Sequence, residues 1–128
     1  RLLPMYARDR TREEAVGDLA GAMGASLPIS VLLLGMGADM HTASLFPGGS
    51  LLEAALDANA PILMPMRIDG QPETRVTLTA PVLDGALSKH LVIVGADKRE
   101  AFENAAGRPP EEAPINAVLS GMTVHWAE

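Results

Sequence analysis

Apolar positions follow two different periods along this chain, and the switches between them mark its elements. Val16, Leu19, Ala20 and Met23 recur at i, i+3, i+4 and i+7, the stripe of an amphipathic helix. Thr11, with Glu14 three residues on, fits a capping box at its start. Gly24, with Ser26 and Pro28 beyond, closes it. Val31-Leu32-Leu33-Leu34 is then an unbroken apolar run ending at Gly35. It predicts a strand from about Ile29, buried on both faces as in a parallel sheet. Thr42 to Phe46 predicts one helical turn stopped by Pro47-Gly48-Gly49, and Ser50 a cap for a short helix from Leu51 to Leu56.

The second half continues the alternation. Ala60 to Met66 carries two prolines and reads as an extended segment at an edge. Arg75 to Thr79 alternates and is rich in β-branched residues, a strand pattern. Pro81 suits the first helical position, with Val82, Leu83, Ala86 and Leu87 as the apolar face. Leu91 to Val94 is a second fully apolar strand closed by Gly95, and Asp97 reads as the cap of a helix from Lys98 to Ala106. Ile115 to Leu119 predicts a short helix and Thr123 to Trp126 a final strand. Strands alternating with helices imply βαβ units. The expected fold is α/β, a layered, mostly parallel sheet of four strands with flanking helices, in a single domain over residues 1–128.

Composition narrows the function classes. A net charge of −6 argues against nucleic acid as a partner, which calls for a basic patch. Any anion site must be built locally from a few cations and backbone N–H groups. The absence of cysteine excludes disulfides and thiolate chemistry. No apolar run approaches the ~18 residues that span a bilayer, so the expectation is a cytoplasmic protein with no membrane partner. The chain opens at Arg1 without Met, and RLLPMYAR carries no capping signal; it reads as a fragment or processed chain.

Chemistry concentrates after the first strand. Gly35-Met36-Gly37 lacks the third glycine of a dinucleotide fingerprint, since Met40 occupies that place. Such a turn is either a plain tight connection or a cradle for an anion. His41 lies in the loop at the carboxyl end of the strand, where open α/β sheets bind ligands. Asp39 precedes it by two residues as an orienting carboxylate, and Thr42 and Ser44 flank it. With an ordinary pKa of about 6.5, an imidazole serves as a base at neutral pH. Ser44 lacks a nucleophile elbow and reads as a packing residue. His90 and His125 read as structural, and no histidine pair has metal-ligand spacing, so neither a metal nor a cofactor is expected. Arg75 and Lys98 read either as solvated charges or as cations facing an anion.

These residues resemble a known family. Leu34-Gly-Met-Gly-Ala-Asp-Met-His-Thr-Ala-Ser-Leu-Phe-Pro-Gly48 is similar to the central motif of 6-phosphogluconolactonases, L-G-x-G-x-D-G-H-T-A-S-L-F-P-G. Arg75-Val-Thr-Leu-Thr-Ala-Pro-Val-Leu83 and Leu91-Val-Ile-Val-Gly-Ala-Asp-Lys98 resemble two further segments, so the likeness covers most of residues 29–106. It implies the layered sheet shared with glucosamine-6-phosphate deaminases and ribose-5-phosphate isomerases. It also implies metal-free hydrolysis of 6-phosphoglucono-δ-lactone in the pentose phosphate pathway, with a phosphosugar lactone as the small-molecule partner. By the same resemblance His41 is the base that takes a proton from water. Amides near Gly35 and Gly37 face the oxyanion, and Arg75 and Lys98 the phosphate.

The related deaminases resemble D-G-H-[IL]-[AG]-F-N-E, with a glutamate five residues after the histidine; here that residue is Phe46, which favours hydrolysis. Two departures stand against full activity. Met40 replaces a glycine, costing about 1–2 kcal/mol if φ is positive there and crowding the base, so Met40→Gly is expected to raise activity or stability. The family is also about twice this length, with a phosphate-binding arginine loop in its N-terminal half, so a missing segment or a second chain is expected as a partner. The alternative reading is a non-catalytic sugar-phosphate-binding remnant.

Overall fold

Thr11 caps the first helix as its spacing predicts. In the computed structural model, which describes residues 2–6 and 8–128, α1 spans Arg12–Gly24. The Glu14 amide donates to the Thr11 hydroxyl and the Thr11 amide to the Glu14 carboxylate, satisfying two N–H groups that a helix start leaves orphaned. Its apolar stripe is half-buried. In chain order there follow β1 (Val31–Leu34), α2 (Leu52–Leu56), β2 (Leu63–Met66), β3 (Arg75–Leu78), α3 (Ala80–Asp84), β4 (Ser88–Val94) and α4 (Ala96–Ala105). A 3₁₀ turn at Pro114–Ala117 and β5 (Met122–Ala127) complete the order.

The α/β class holds, but the strands divide differently from the expected four-stranded sheet. β1, β4 and β5 form a parallel sheet with β4 in the middle, and α4 makes the β4-to-β5 crossover. β3 is outside that sheet. It pairs antiparallel with β2, Met64 opposite Thr77, so the proline-bearing segment does lie at an edge. Pro65 is tolerated there because a two-stranded ribbon leaves each strand one unpaired side.

Leu32, Leu34, Leu91 and Ile93 point to one face of the parallel sheet and join Leu45, Met66, Leu83, Ile115 and Val118 in the core. The other face is open: Val31 is 66% exposed and Leu33 68%, with Val92 and Val94 beside them. The expectation of a first strand buried on both faces is therefore corrected. An apolar run reports that both faces suit burial, not that both are covered. Lys89 is buried on the core side, and its ammonium donates to Asp84 at 2.6 Å and to the Val118 carbonyl at 3.0 Å.

Several local expectations are corrected by side chains that found distant partners. Thr42–Phe46 is not helical: the Leu45 amide closes a turn on the Thr42 carbonyl, with Ala43 at φ 50°. Ser50 does not cap α2 but accepts from the Arg67 amide. α4 begins at Ala96 with Gly95 as its cap, which places Asp97 in the first turn. Leu87 lies beyond the end of α3 and is 73% exposed. β4 starts at Ser88, so His90 lies inside a strand, not before one.

Candidate active site

The loop between β1 and α2 carries the predicted base, and the glycines explain its path. A turn closes from the Met40 amide to the Gly37 carbonyl, and the Gly37 amide donates back to the His41 carbonyl at 2.9 Å. His41 then folds onto Gly37 so closely that a β-carbon there would lie 2.1 Å from its Nδ1. Only glycine fits beneath that ring. Thr42 is fully buried, and its hydroxyl donates to the Gly35 carbonyl at 2.8 Å, pinning the loop to the end of β1. Ser44 is held by its amide, which donates to the Thr77 hydroxyl at 3.1 Å; its place is set by β3.

Asp39 orients the imidazole. One carboxylate oxygen lies 2.5 Å from His41 Nδ1 and accepts the His41 amide at 3.1 Å. Burial, the largest single influence on the Asp39 carboxyl, pushes its pKa up, but the hydrogen bonds from the His41 ring and amide and the imidazole's charge together outweigh it and hold the pKa below the ordinary value. In the neutral ring an ionised Asp39 favours the proton on Nδ1, the tautomer in which Nε2 carries the lone pair. Among the described residues, Nε2 has no hydrogen-bond partner.

Phe46 stacks on the same ring, centroids 4.1 Å apart and planes 17° from parallel. The Arg75 guanidinium lies 5.2 Å from the Phe46 centroid, in cation–π range, so one aromatic ring links the predicted base to a predicted anion ligand. Beside them a cleft of about 460 Å³ is lined by Ser44, Arg12, Gln71, Glu73 and Arg75. Lys98 reaches the loop from α4, its Nζ 2.6 Å from the Met36 carbonyl.

The structure thus gathers Gly35, Gly37, Asp39, His41, Arg75 and Lys98 around one loop. Of the amides near Gly35 and Gly37 expected to face the oxyanion, that of Gly37 itself donates to the His41 carbonyl. Sequence reasoning placed Thr42 beside His41 but missed Phe46 and Arg12 as parts of this environment. The aromatic five residues after His41 was the available signal for Phe46; Arg12 had none. His90 and His125, read as structural, meet through the parallel register with Nδ1 and Nε2 3.0 Å apart, on the open face of the sheet. No cluster of three metal-ligating side chains occurs among the described residues.

A family profile described as glucosamine-6-phosphate isomerases/6-phosphogluconolactonase matches residues 1–126. The chain belongs to this family. The 6-phosphogluconolactonase of Rhizobium meliloti (strain 1021) is 40% identical over 99% of this chain and 58% of its own length. That of Mesorhizobium japonicum is 38% identical over 99% of this chain and 56% of its own. A crystal structure of a 6-phosphogluconolactonase from Shewanella baltica OS155 superposes with a TM-score of 0.87 at 28% identity, covering 97% of this chain and 55% of that one. The chain therefore spans little more than half the length of the relatives it matches. Within the family motif read above, Met40 stands in the glycine position at φ 70°. Its side chain is half-buried against the core cluster, and its carbonyl accepts the Ile115 amide.

Proposed function

We propose that this chain carries the catalytic loop of a 6-phosphogluconolactonase and hydrolyses 6-phospho-D-glucono-1,5-lactone to 6-phosphogluconate, with no cofactor. The observation that carries the reading is the Asp39–His41 pair at 2.5 Å with Nε2 left unpartnered. Nε2 takes a proton from water as the water oxygen bonds to the lactone carbonyl carbon. The tetrahedral oxyanion collapses, the bond from that carbon to the ring oxygen breaks, and the imidazolium returns its proton to that oxygen. The acid formed then ionises. A positioned base of this kind contributes roughly 10²- to 10⁴-fold.

With Gly37 engaged, the oxyanion falls to the amide of Ala38, within the 37–40 turn, which has no backbone acceptor among the described residues. Preorganised backbone donors are effective there because they need no reorganisation. The phosphate sits against Arg75, in the cleft that Arg12 also lines, with Lys98 adding charge. An amine-releasing isomerase is disfavoured because Phe46, 6% exposed and stacked on His41, stands where the deaminases' motif carries its glutamate.

The coverage of just over half the relatives' length supports one competing reading, a phosphosugar-binding module without turnover. Proton release from the lactone, followed against spontaneous hydrolysis, decides between them. The expected result is acceleration by the purified chain that His41→Ala removes. A rate equal to buffer, with 6-phosphogluconate still bound, overturns the lactonase in favour of the module.

A further inference from the structure

Lys98 occupies an electrostatically awkward position. It lies in the first turn of α4, where the helix dipole favours anions and disfavours a cation. Helix stability therefore gives no reason for a lysine here. Its ammonium instead crosses to the β1 loop, 62 residues away in sequence, and donates to the Met36 carbonyl at 2.6 Å in a half-buried setting.

That carbonyl belongs to the peptide unit joining Met36 to Gly37. The N–H of the same unit is the one that donates to the His41 carbonyl at 2.9 Å. One rigid plane thus takes a charge-assisted bond on one edge and holds the backbone of His41 on the other. Polarising a peptide carbonyl strengthens the bond its N–H donates. The Cα that ends this plane, Gly37, is also the surface on which the imidazole lies. A rotation of the plane would move both the carbonyl and the ring of His41.

We infer that Lys98 is a positioning residue for His41, acting through the Met36–Gly37 peptide unit. Its catalytic consequence rests on the lactonase reading above; the coupling itself does not. Only one of its three N–H donors is committed to Met36, so the role is compatible with a phosphate contact but is separable from it.

Nuclear magnetic resonance on the full chain tests the coupling without turnover. In the unaltered protein the Lys98 ammonium is expected to show a slowed-exchange ¹⁵N–¹H signal; its absence would overturn the contact. In Lys98→Met the Gly37 amide is expected to exchange about tenfold faster and the His41 ring nitrogens to shift, while the Leu91 amide stays unchanged. Lys98→Arg is expected to restore much of both. A Gly37 amide and His41 ring indistinguishable from the unaltered protein would sink the inference. Turnover adds a second separation: Lys98→Met should lower kcat alike on phosphorylated and unphosphorylated gluconolactone. A rise in KM for the phosphorylated substrate alone marks phosphate binding and overturns positioning. If no lactone is turned over at all, the lactonase reading fails while the resonance result still decides the coupling.

Discussion

The imidazole of His41 lies against the α-carbon of Gly37, and a methyl group on that carbon would come within 2.1 Å of Nδ1 and 2.2 Å of Cε1. Gly37 itself is buried, so the ring is the softer of the two and must give way. Displacing a base by about 1 Å can cost on the order of 10²-fold in rate. Gly37→Ala is expected to lower kcat of the proposed lactone hydrolysis by at least about 10²-fold and to cost about 1–3 kcal/mol of stability through overpacking. Steady-state kinetics beside urea unfolding checks this, and a variant with unaltered kcat would show that the ring does not work from where it is seen.

Asp39 ties stability to pH in a direction fixed by its lowered pKa. A carboxyl whose folded pKa is depressed contributes stability that is present above its unfolded value of about 3.9 and lost as pH falls through the folded value. Asp39→Asn is therefore expected to be less stable than the parent near pH 6, with the gap closing below about pH 4. Because the Asp39 side chain is 52% exposed, solvent screening keeps the gap below about 1 kcal/mol. The same variant is expected to lose about 10²-fold or more in kcat, since an amide no longer dictates which ring nitrogen holds the proton. Unfolding midpoints across pH 3–7 are the measurement; a gap that widens toward acid would reverse the assignment.

Local signals proved readable where the interaction they encode is local. The Thr11–Glu14 box, the Gly95 stop and the Asp39-x-His41 spacing each join residues within a few positions, and each is formed. What pattern could not reveal was decided by distant partners. Thr42 reads as helical until its hydroxyl finds the Gly35 carbonyl, and Ser50 reads as a cap until it meets Arg67. The Lys98 contact with Met36 and the meeting of His90 with His125 depend on strand register, which composition does not carry. The open face beside Val31 and Leu33 was hidden for a different reason: hydrophobicity records suitability for burial, not the burial itself.

Lys89 offers a test of how the core tolerates charge. Its side chain is 5% exposed, while its partner Asp84 is 43% exposed. Removing the partner alone leaves an ammonium buried with, among the described residues, only the Val118 carbonyl to receive it. Asp84→Ala is expected to cost about 2–3 kcal/mol, somewhat less than a fully buried pair because water reaches Asp84. Adding Lys89→Met should recover most of that loss, since a flexible apolar side chain fills the same space. Chemical unfolding of the two variants measures it, and a double variant as unstable as the single one would mean that packing around the stem, not charge, sets the cost.

Met40 sets two effects against each other at one residue. Its φ of 70° strains any residue with a β-carbon by about 1–2 kcal/mol, so glycine would relieve the backbone. The side chain, however, packs half-buried on the core cluster, and full burial of a methionine is worth about 1.5–3 kcal/mol; half of that nearly offsets the strain. Glycine also loosens the unfolded chain, by about 0.4–1 kcal/mol. Met40→Gly should therefore leave stability within about 1 kcal/mol of the parent. Met40→Ala loses the packing yet keeps the strain, and is expected to fall about 1 kcal/mol below Met40→Gly. Comparing the two by denaturant midpoint isolates the backbone contribution from the packing one. An alanine variant as stable as the glycine variant would show that the left-handed conformation costs nothing in this loop, and the reason for expecting glycine beside His41 would have to be sought in access to the ring.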